Sequence, residues 1–478
     1  MPINSFIYPS QVKLLDYEVA NSCRLNRGDS PYMSKTHGSA GNQRTFTVSF
    51  WYKRTNFGEK EVIMSTTDGG SSFFSIGFTG SGTYVDKFFI YWYDGSSPAT
   101  DYGYFSTRLF RDVSAWYHVV LAVDTTQGTE SDRVKLYING TLESLTAVYA
   151  AFPENHDTYF NKDNVHYIAY DHDSASAALN GYLAELVIID GTQYAASDFG
   201  EFDEDSPTIW KPIDVSGLTF GTNGAYLDFE DSSNLGNDAN GGTDWTESNL
   251  AATDQTTDTP TNNFCTLNPL ASGVAIGGSA GTFTEGNTRF AAASAAWCAS
   301  KSTFSVSNGK WYYEAKKNSD SAGDTVGAGY TGVGYAELQS DLPATNPTNG
   351  SGVYSSILYL GDNGWTTNFA DGTQWGTPQA VDDGDIIGIA LNLDDDEYTF
   401  YVNGSSVNNG SLGAGYDGNG LTPCIIDHQH ARNFYLNFGN PSYANSSDAA
   451  DENGYGAFEY APPSGYYALC TKNLAEYG

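Results

Sequence analysis

The sequence predicts an all-β protein built of two tandem antiparallel β-sandwich domains. Three observations carry that prediction. Apolar side chains recur at every second position through many short segments, the period of a strand with one buried face and one wet face. The segment Trp116–Gly140 holds two such strands, Trp116–Asp124 and Arg133–Ile138, around a polar Thr/Gly/Glu/Ser loop, and Asn139-Gly140 closes it with a turn that tolerates positive φ. A related arrangement recurs in the other half, with strands Ile387–Leu393 and Glu397–Val402 and the turn Asn403-Gly404. Composition agrees: 34 Tyr, 26 Phe and 52 Gly favour sheets joined by tight turns and rule out a disordered chain.

At 478 residues the chain is long for a single core, so two domains are expected. The predicted divisions are an N-terminal arm over 1–20, a first sandwich over 21–250, a linker over 251–263 and a second sandwich over 264–478. The 22 Lys+Arg against 57 Asp+Glu give a formal charge of −35, which repels nucleic acid and anionic membranes. Five cysteines, Cys23, Cys265, Cys298, Cys424 and Cys470, are an odd number without a CxxC pair, so buried free thiols are expected. The opening MPINSFIYPSQVKL has neither a basic start nor a long apolar run, so no signal peptide is read there. No apolar run of about 18 residues predicts a membrane span.

In chain order, strands are predicted at Asn21–Leu25, Tyr32–Lys35 and Thr45–Lys53, followed by the aromatic segments EVIMSTT, FFSIGFTG, KFFIYWYD and DYGYFSTR. Residues 165–190 give two more strands around a polar loop. Residues 195–213 read as one helical turn and an extended run held by Pro207 and Pro212. Ala225–Glu230 closes the half. The ordered set SPYMSKT, TFTVSFWYKR, WYHVVLAVD, VKLYING, NGYLAELVIIDG, DFGEFDE and AYLDFED resembles the LamG-like, concanavalin-A-like lectin/glucanase modules of tailed-bacteriophage structural proteins, notably marine ones. The resemblance covers roughly residues 15–250 and implies a jelly-roll sandwich.

Residues 231–263 are polar and poor in aliphatics and read as the boundary, with Trp245 and Leu250 packing down. Beyond it, strands are predicted at Gly309–Lys316, Tyr330–Tyr335, Gly352–Leu360, Asp385–Leu393, Tyr398–Val402 and Asn433–Phe438. Cys-Thr-x-Asn occurs at Cys265–Asn268 and again at Cys470–Asn473, which predicts matching strands side by side at the two ends of this domain. Trp311 in GKWYYEAK, then Gly384-Asp385-Ile386-Ile387-Gly388 and Phe400-Tyr401-Val402-Asn403-Gly404, resemble a SPRY domain over about 285–440. That family is a β-sandwich binding module, which implies a non-enzymatic role.

Retaining glycosidases need two carboxyls about 5 Å apart. Glu-x-Asp-x-Glu on one strand is a common way to place them, because alternate side chains share a face. The nearest match, Glu201-Phe202-Asp203-Glu204-Asp205, ends in Asp and runs into Ser-Pro, so a surface loop is read there. Arg27-Gly28-Asp29 sits in a polar turn and reads as chance. His428 and His430 share a strand face without a third ligand. Asp171 and Asp173, with Asn180, offer oxygens to calcium, the one cofactor considered. Flat aromatic faces stack on sugar C–H faces while amides and carboxylates meet hydroxyls. On that ground the candidate glycan contacts are Trp92, Tyr93, Asp94, Tyr102 and Tyr104, and in the second half Trp365, Asp371 and Trp375.

The function expected is a non-enzymatic structural protein at the surface of a phage particle. It would be a tail-fibre, knob or head-fibre component that binds host-surface carbohydrate or a receptor. Other virion proteins are expected partners, and a closed homo-oligomer, most simply a trimer, the expected assembly. The alternatives are a capsid-decoration or assembly protein without a ligand, and a polysaccharide depolymerase acting through Glu201 and Asp203.

Overall fold

The computed structural model describes residues 17–70, 72–95, 100–172, 179–272, 281–292, 297–318, 330–338, 356–360, 366–367, 379, 381–413, 416–428 and 433–478. Its strands form two pairs of antiparallel sheets, as the alternation predicts. In the first half, sheet I has eight strands: Thr141–Glu143, Val134–Ile138, Tyr117–Asp124, Thr45–Arg54, Gly181–Asp190, Ser22–Leu25 and Gln255–Thr256 in spatial order, with Ala225–Leu227 also against Gly181–Asp190. Sheet II also has eight, in the order Leu145–Ala147, Asp101–Ser106, Phe88–Tyr93, Phe73–Phe78, Glu61–Thr67, Val165–Ile168, Tyr32–Thr36 and Thr246–Ser248. Phe46, Val48 and Phe50 of sheet I meet Phe74, Ile76 and Phe88 of sheet II in one apolar core.

In the second half, sheet III runs Leu267–Ser272, Trp297–Ser302, Leu421–His428, Tyr330–Glu337, Ser356–Leu360, Thr366–Thr367. Sheet IV runs Thr282–Thr284, Arg289–Ala291, Asn433–Asn437, Lys310–Asn318, Ile386–Asn392, Glu397–Val402, Ser405–Ser411. Their core centres on Trp311, Tyr313, Ile389 and Phe400. Both Asn-Gly turns take left-handed backbone at both residues: Asn139 and Gly140 at φ 48° and 76°, Asn403 and Gly404 at 48° and 75°. The five cysteines are buried free thiols. Among the described residues no helix is long and apolar enough to cross a membrane.

Three local expectations are corrected. The segment 251–263, read as a linker, is built into the structure: Gln255–Thr256 is a strand of sheet I, and Asp258 and Thr259 are buried. The Pro-bounded run after Ala196–Asp198 is a hairpin of Gly200–Phe202 with Trp210–Pro212. The two ends of the second half do lie together, with the Cys265 N–H bonded to the Leu469 carbonyl at 2.9 Å. The second Cys-Thr-x-Asn, however, opens a helix, Thr471–Tyr477, not a strand. Its Leu-Ala-Glu run favours helix, and a four-residue motif does not override it.

Sheet I is buried on both faces. All ten residues of Gly181–Asp190 are buried, and nine of ten in Thr45–Arg54. Part of its outer face lies under the segment carrying Phe199, Val215 and Phe220. Another part faces the second half. There Lys53, fully buried, gives three short hydrogen bonds: to Asp258 Oδ2 (2.7 Å), Asn263 Oδ1 (2.7 Å) and the Phe264 carbonyl (2.9 Å). Tyr182 donates to the Gly286 carbonyl at 2.8 Å, and Arg24 to that of Pro441 at 3.2 Å. The start of the described chain docks on the same face, where Tyr17 and Tyr226 both donate to Glu185 Oε2, at 3.0 and 2.8 Å.

Two predictions follow from this seam. Removing one member of a buried ion pair leaves the other charge stranded. Asp258→Ala is therefore expected to lower the unfolding free energy in urea by about 3–5 kcal/mol, and Lys53→Met with Asp258→Leu to recover most of it. Burial holds the Glu185 carboxyl up at about 7, against its hydrogen bonds from the two tyrosines. A raised carboxyl contributes stability that is complete below about 4.5 and lost as pH rises through 7. The unfolding free energy of wild type minus that of Glu185→Gln should thus fall by about 1–3 kcal/mol from pH 5 to pH 8. A difference that rises with pH would contradict this.

Candidate functional site

With sheet I covered on both sides, the outer face of sheet II remains. Three neighbouring strands are aromatic on both parities. Phe74, Ile76, Phe88, Ile90, Trp92 and Tyr104 point into the core. Their sequence neighbours Phe73, Ser75, Phe89, Tyr91, Tyr93 and Phe105 therefore point outward. Of these outward residues all but Tyr93, with Tyr84, Tyr149, Lys60 and His172, line a cleft of about 580 Å³.

The rings touch along the cleft. Phe73 lies 5.3 Å from Tyr91 and 5.7 Å from Tyr93, Tyr91 lies 5.1 Å from Tyr149, and Phe105 stacks on Tyr84 at 4.5 Å. Gly103 makes this possible, since a Cβ there would sit 3.1 Å from both the Tyr91 and the Tyr149 rings and 3.0 Å from the Ile90 carbonyl. Tyr149 is 43% exposed, so the cleft's wall reaches solvent.

Polar groups in and beside the cleft are already committed. Tyr91 donates to Asp101 Oδ1 at 2.7 Å, and burial together with that carboxylate pushes its phenol upward. Lys60 pairs with Asp171, and His172 Nδ1 lies 2.9 Å from the other Asp171 oxygen. Burial works to raise the Asp171 pKa, but the hydrogen bonds to His172 and Lys60 and the Lys60 charge outweigh it and hold the carboxyl below the usual range. Glu59 is paired to Arg27 at 3.1 Å. The Arg27–Asp29 triplet is a 3-10 turn whose Asp29 accepts from Asn26 at 2.8 Å, so its charges serve local structure.

Several predicted contact residues are corrected by parity. Trp92 is 4% exposed and packs against Tyr102 at 4.7 Å and His156 at 4.2 Å. Tyr104 is buried and its hydroxyl accepts the Phe152 N–H at 3.0 Å. Tyr102 packs against the same core. Asp94 closes a turn, with Oδ1 accepting the Thr100 N–H at 3.0 Å. Of that group Tyr93 alone joins the outward face. Trp365, Asp371 and Trp375 lie outside the described residues, as do Asp173 and His430. Asp171, with one oxygen on a lysine and the other at His172, does not fit a calcium ligand. Among the described residues, no group of three or more His, Cys, Asp or Glu is arranged to hold a metal ion. The sequence reading missed Phe73, Phe89, Tyr91, Phe105 and Tyr149. The signal for Phe89 and Tyr91 was present: FFIYWY leaves no polar parity, so both faces of that strand carry rings.

Two other constellations have catalytic residue types. Glu201 and Asp203 share a single cation, Lys211, at 3.5 and 3.4 Å, which offsets one of their two charges. Ser49 Oγ lies 2.9 Å from His118 Nε2, a nucleophile–base distance. The Trp210 indole, however, donates to His118 Nδ1 at 2.9 Å. Nδ1 is thus the acceptor and Nε2 carries the proton, so this imidazole cannot take one from Ser49. Burial lowers its pKa to about 3, which keeps it neutral.

The family profile described as the Concanavalin A-like lectin/glucanases superfamily matches residues 27–196. No curated protein matches the sequence. Among solved structures, the chain is similar to the SPRY domain of human HERC1 (16% identity, TM-score 0.27, 36% of this chain and 96% of that one). It is also similar to a putative carbohydrate binding protein from Bacteroides ovatus (16% identity, TM-score 0.34), covering 48% of this chain and 58% of that one, a little over half its length. A SAP-like pentraxin from Limulus polyphemus is a third (14% identity, TM-score 0.26, 36% and 77%).

The parity assignment is testable by stability alone. Trp92→Ala is expected to cost about 3–5 kcal/mol in chemical unfolding, as a core aromatic does. Tyr149→Ala, at the exposed wall, should cost less than about 1 kcal/mol. Equal costs would mean the two faces have been exchanged.

Proposed function

We propose that this chain is a non-enzymatic recognition protein that binds carbohydrate in the aromatic cleft of sheet II. The observation that carries the reading is that cleft: outward rings on three adjacent strands, with the half-exposed Tyr149 ring at its wall. Aromatic faces stack on sugar rings and hydroxyls supply the polar contacts. The lectin-type family profile over the same sandwich supports it. The protein's place is the surface of a phage particle, as a tail-fibre, knob or head-fibre component meeting host glycan or receptor, in contact with other virion proteins and as a homo-oligomer. The ordered resemblance of the first half to phage structural modules supports that setting, and the charge of −35 suits an exposed protein.

The buried seam favours a second reading, a capsid-decoration protein without ligand, in which two fused sandwiches act as one rigid brick. A glycan array probed with the full chain separates the two. Wild type should bind one or more neutral glycans. Tyr91→Ala with Tyr149→Ala should weaken that binding about tenfold while the melting transition holds. No glycan signal, together with a buried position in the particle, would favour the decoration role.

A further inference from the structure

One segment forms an open side of the first sandwich. Residues 141–150, TLESLTAVYA, supply Thr141–Glu143, the outermost strand of sheet I, and then Leu145–Ala147, the outermost strand of sheet II beside Asp101–Ser106. Among the described residues no further strand pairs with either. Leu142 is 58% exposed, and Thr146 and Ala147 are exposed. Natural sheets commonly block such an edge with lysine or proline. This segment has neither.

Its hydrogen bonds show which backbone groups are on offer. The Thr107 N–H donates to the Ser144 carbonyl at 3.1 Å, and the Val148 N–H to the Gly103 carbonyl at 3.2 Å. In an antiparallel ladder alternate residues bond to the same side. Ser144, Thr146 and Val148 therefore face Asp101–Ser106, and the N–H and C=O groups of Leu145 and Ala147 point away from it. The segment is also nearly free of net charge, on a chain of −35. Its one charged side chain, Glu143, is paired with Arg108 at 3.0 Å and is 8% exposed.

We infer that this edge is a homodimer interface, in which Leu145–Ala147 pairs antiparallel with the same strand of a second copy about a two-fold axis at Thr146. Two features select a second copy. An antiparallel strand is its own complement: with Thr146 on the axis, Leu145 meets the partner's Ala147, and the outward groups of both strands are satisfied in four hydrogen bonds. Repulsion between two strongly acidic chains also confines their contact to a place where charge is already offset. The pair closes on itself, so no third copy adds at this edge.

The pairing has a consequence for the cleft. Residues opposite each other across a ladder share a face. Thr146 stands opposite Phe105 and so lies on the cleft face. Both clefts of the dimer then open on one side, with the two Tyr91 positions five strand spacings, about 24 Å, apart. Four hydrogen bonds over a narrow contact make a weak dimer alone. A surface of repeated glycans strengthens it by engaging both clefts, a consequence that rests on the carbohydrate reading.

The dimer itself needs no glycan, so its test can fail while the cleft reading stands. The full chain is sedimented at concentrations from about 1 to about 200 μM. Wild type should pass from monomer to dimer across that range. Ala147→Pro removes an outward N–H and leaves the bonds to Asp101–Ser106 in place, and Thr146→Lys sets like charges face to face on the axis. Each should remain monomeric. Mixing Thr146→Lys with Thr146→Glu should restore a dimer that neither forms alone. Wild type that stays monomeric at the highest concentration, a trimer, or a dimer that both variants leave intact overturns the interface. Should Ala147→Pro fail to fold, the Lys and Glu mixture decides, because Thr146 is exposed.

Discussion

Lys53 is a charge with no exposed surface, and the rest of the architecture answers to it. A buried ammonium needs both a counter-charge and acceptors for its remaining protons. It finds all three in a polar stretch after the first sandwich: Asp258, Asn263 and the Phe264 carbonyl. Asp258 is anchored in turn, accepting the Trp116 indole at 3.2 Å and the Phe264 N–H at 3.3 Å. The connecting segment is therefore fixed to sheet I at the point where the second half begins. Asn287, which donates to the Thr55 carbonyl at 2.8 Å, extends the seam from the other side. The consequence reaches the functional face. One side of the first sandwich is closed by this seam and by the Phe199–Phe220 covering, so an extended ligand has sheet II available to it.

How far this was legible from sequence depends on what alternation can and cannot say. It separates two parities of a strand and thereby finds the strands. The Thr45–Arg54 and Tyr117–Asp124 segments emerge close to where the pattern puts them. Asn139-Gly140 and Asn403-Gly404 are legible for a separate reason, since few other pairs tolerate positive φ twice in a row. Alternation does not say which parity faces the core when both are aromatic. In FFIYWY the bulkiest side chain, Trp92, drew attention as a ligand contact, yet it is the residue the core uses. Its neighbour Tyr91 is the one presented. The 251–263 stretch was opaque for the opposite reason. Polar residues normally imply solvent, and only long-range pairing with Lys53, 205 positions earlier than Asp258, makes them interior.

The outward rings need a cause beyond spare hydrophobicity. Contiguous exposed apolar surface invites association, and soluble proteins keep it small unless it is used. On sheet I the comparable surface is covered by chain: Val187, Ile189 and Val120 sit under Phe199 and Phe220. On sheet II the cover is partial: His172 stacks on Phe73 and Tyr84 on Phe105, while Tyr149, beside Tyr91, stays 43% exposed. Gly103 lets Tyr149 close on Tyr91 from the side. Aromatic walls around a solvent-reaching cleft, on a chain with a strong negative charge, form a surface whose chemistry suits a neutral, ring-bearing partner better than a polyanion.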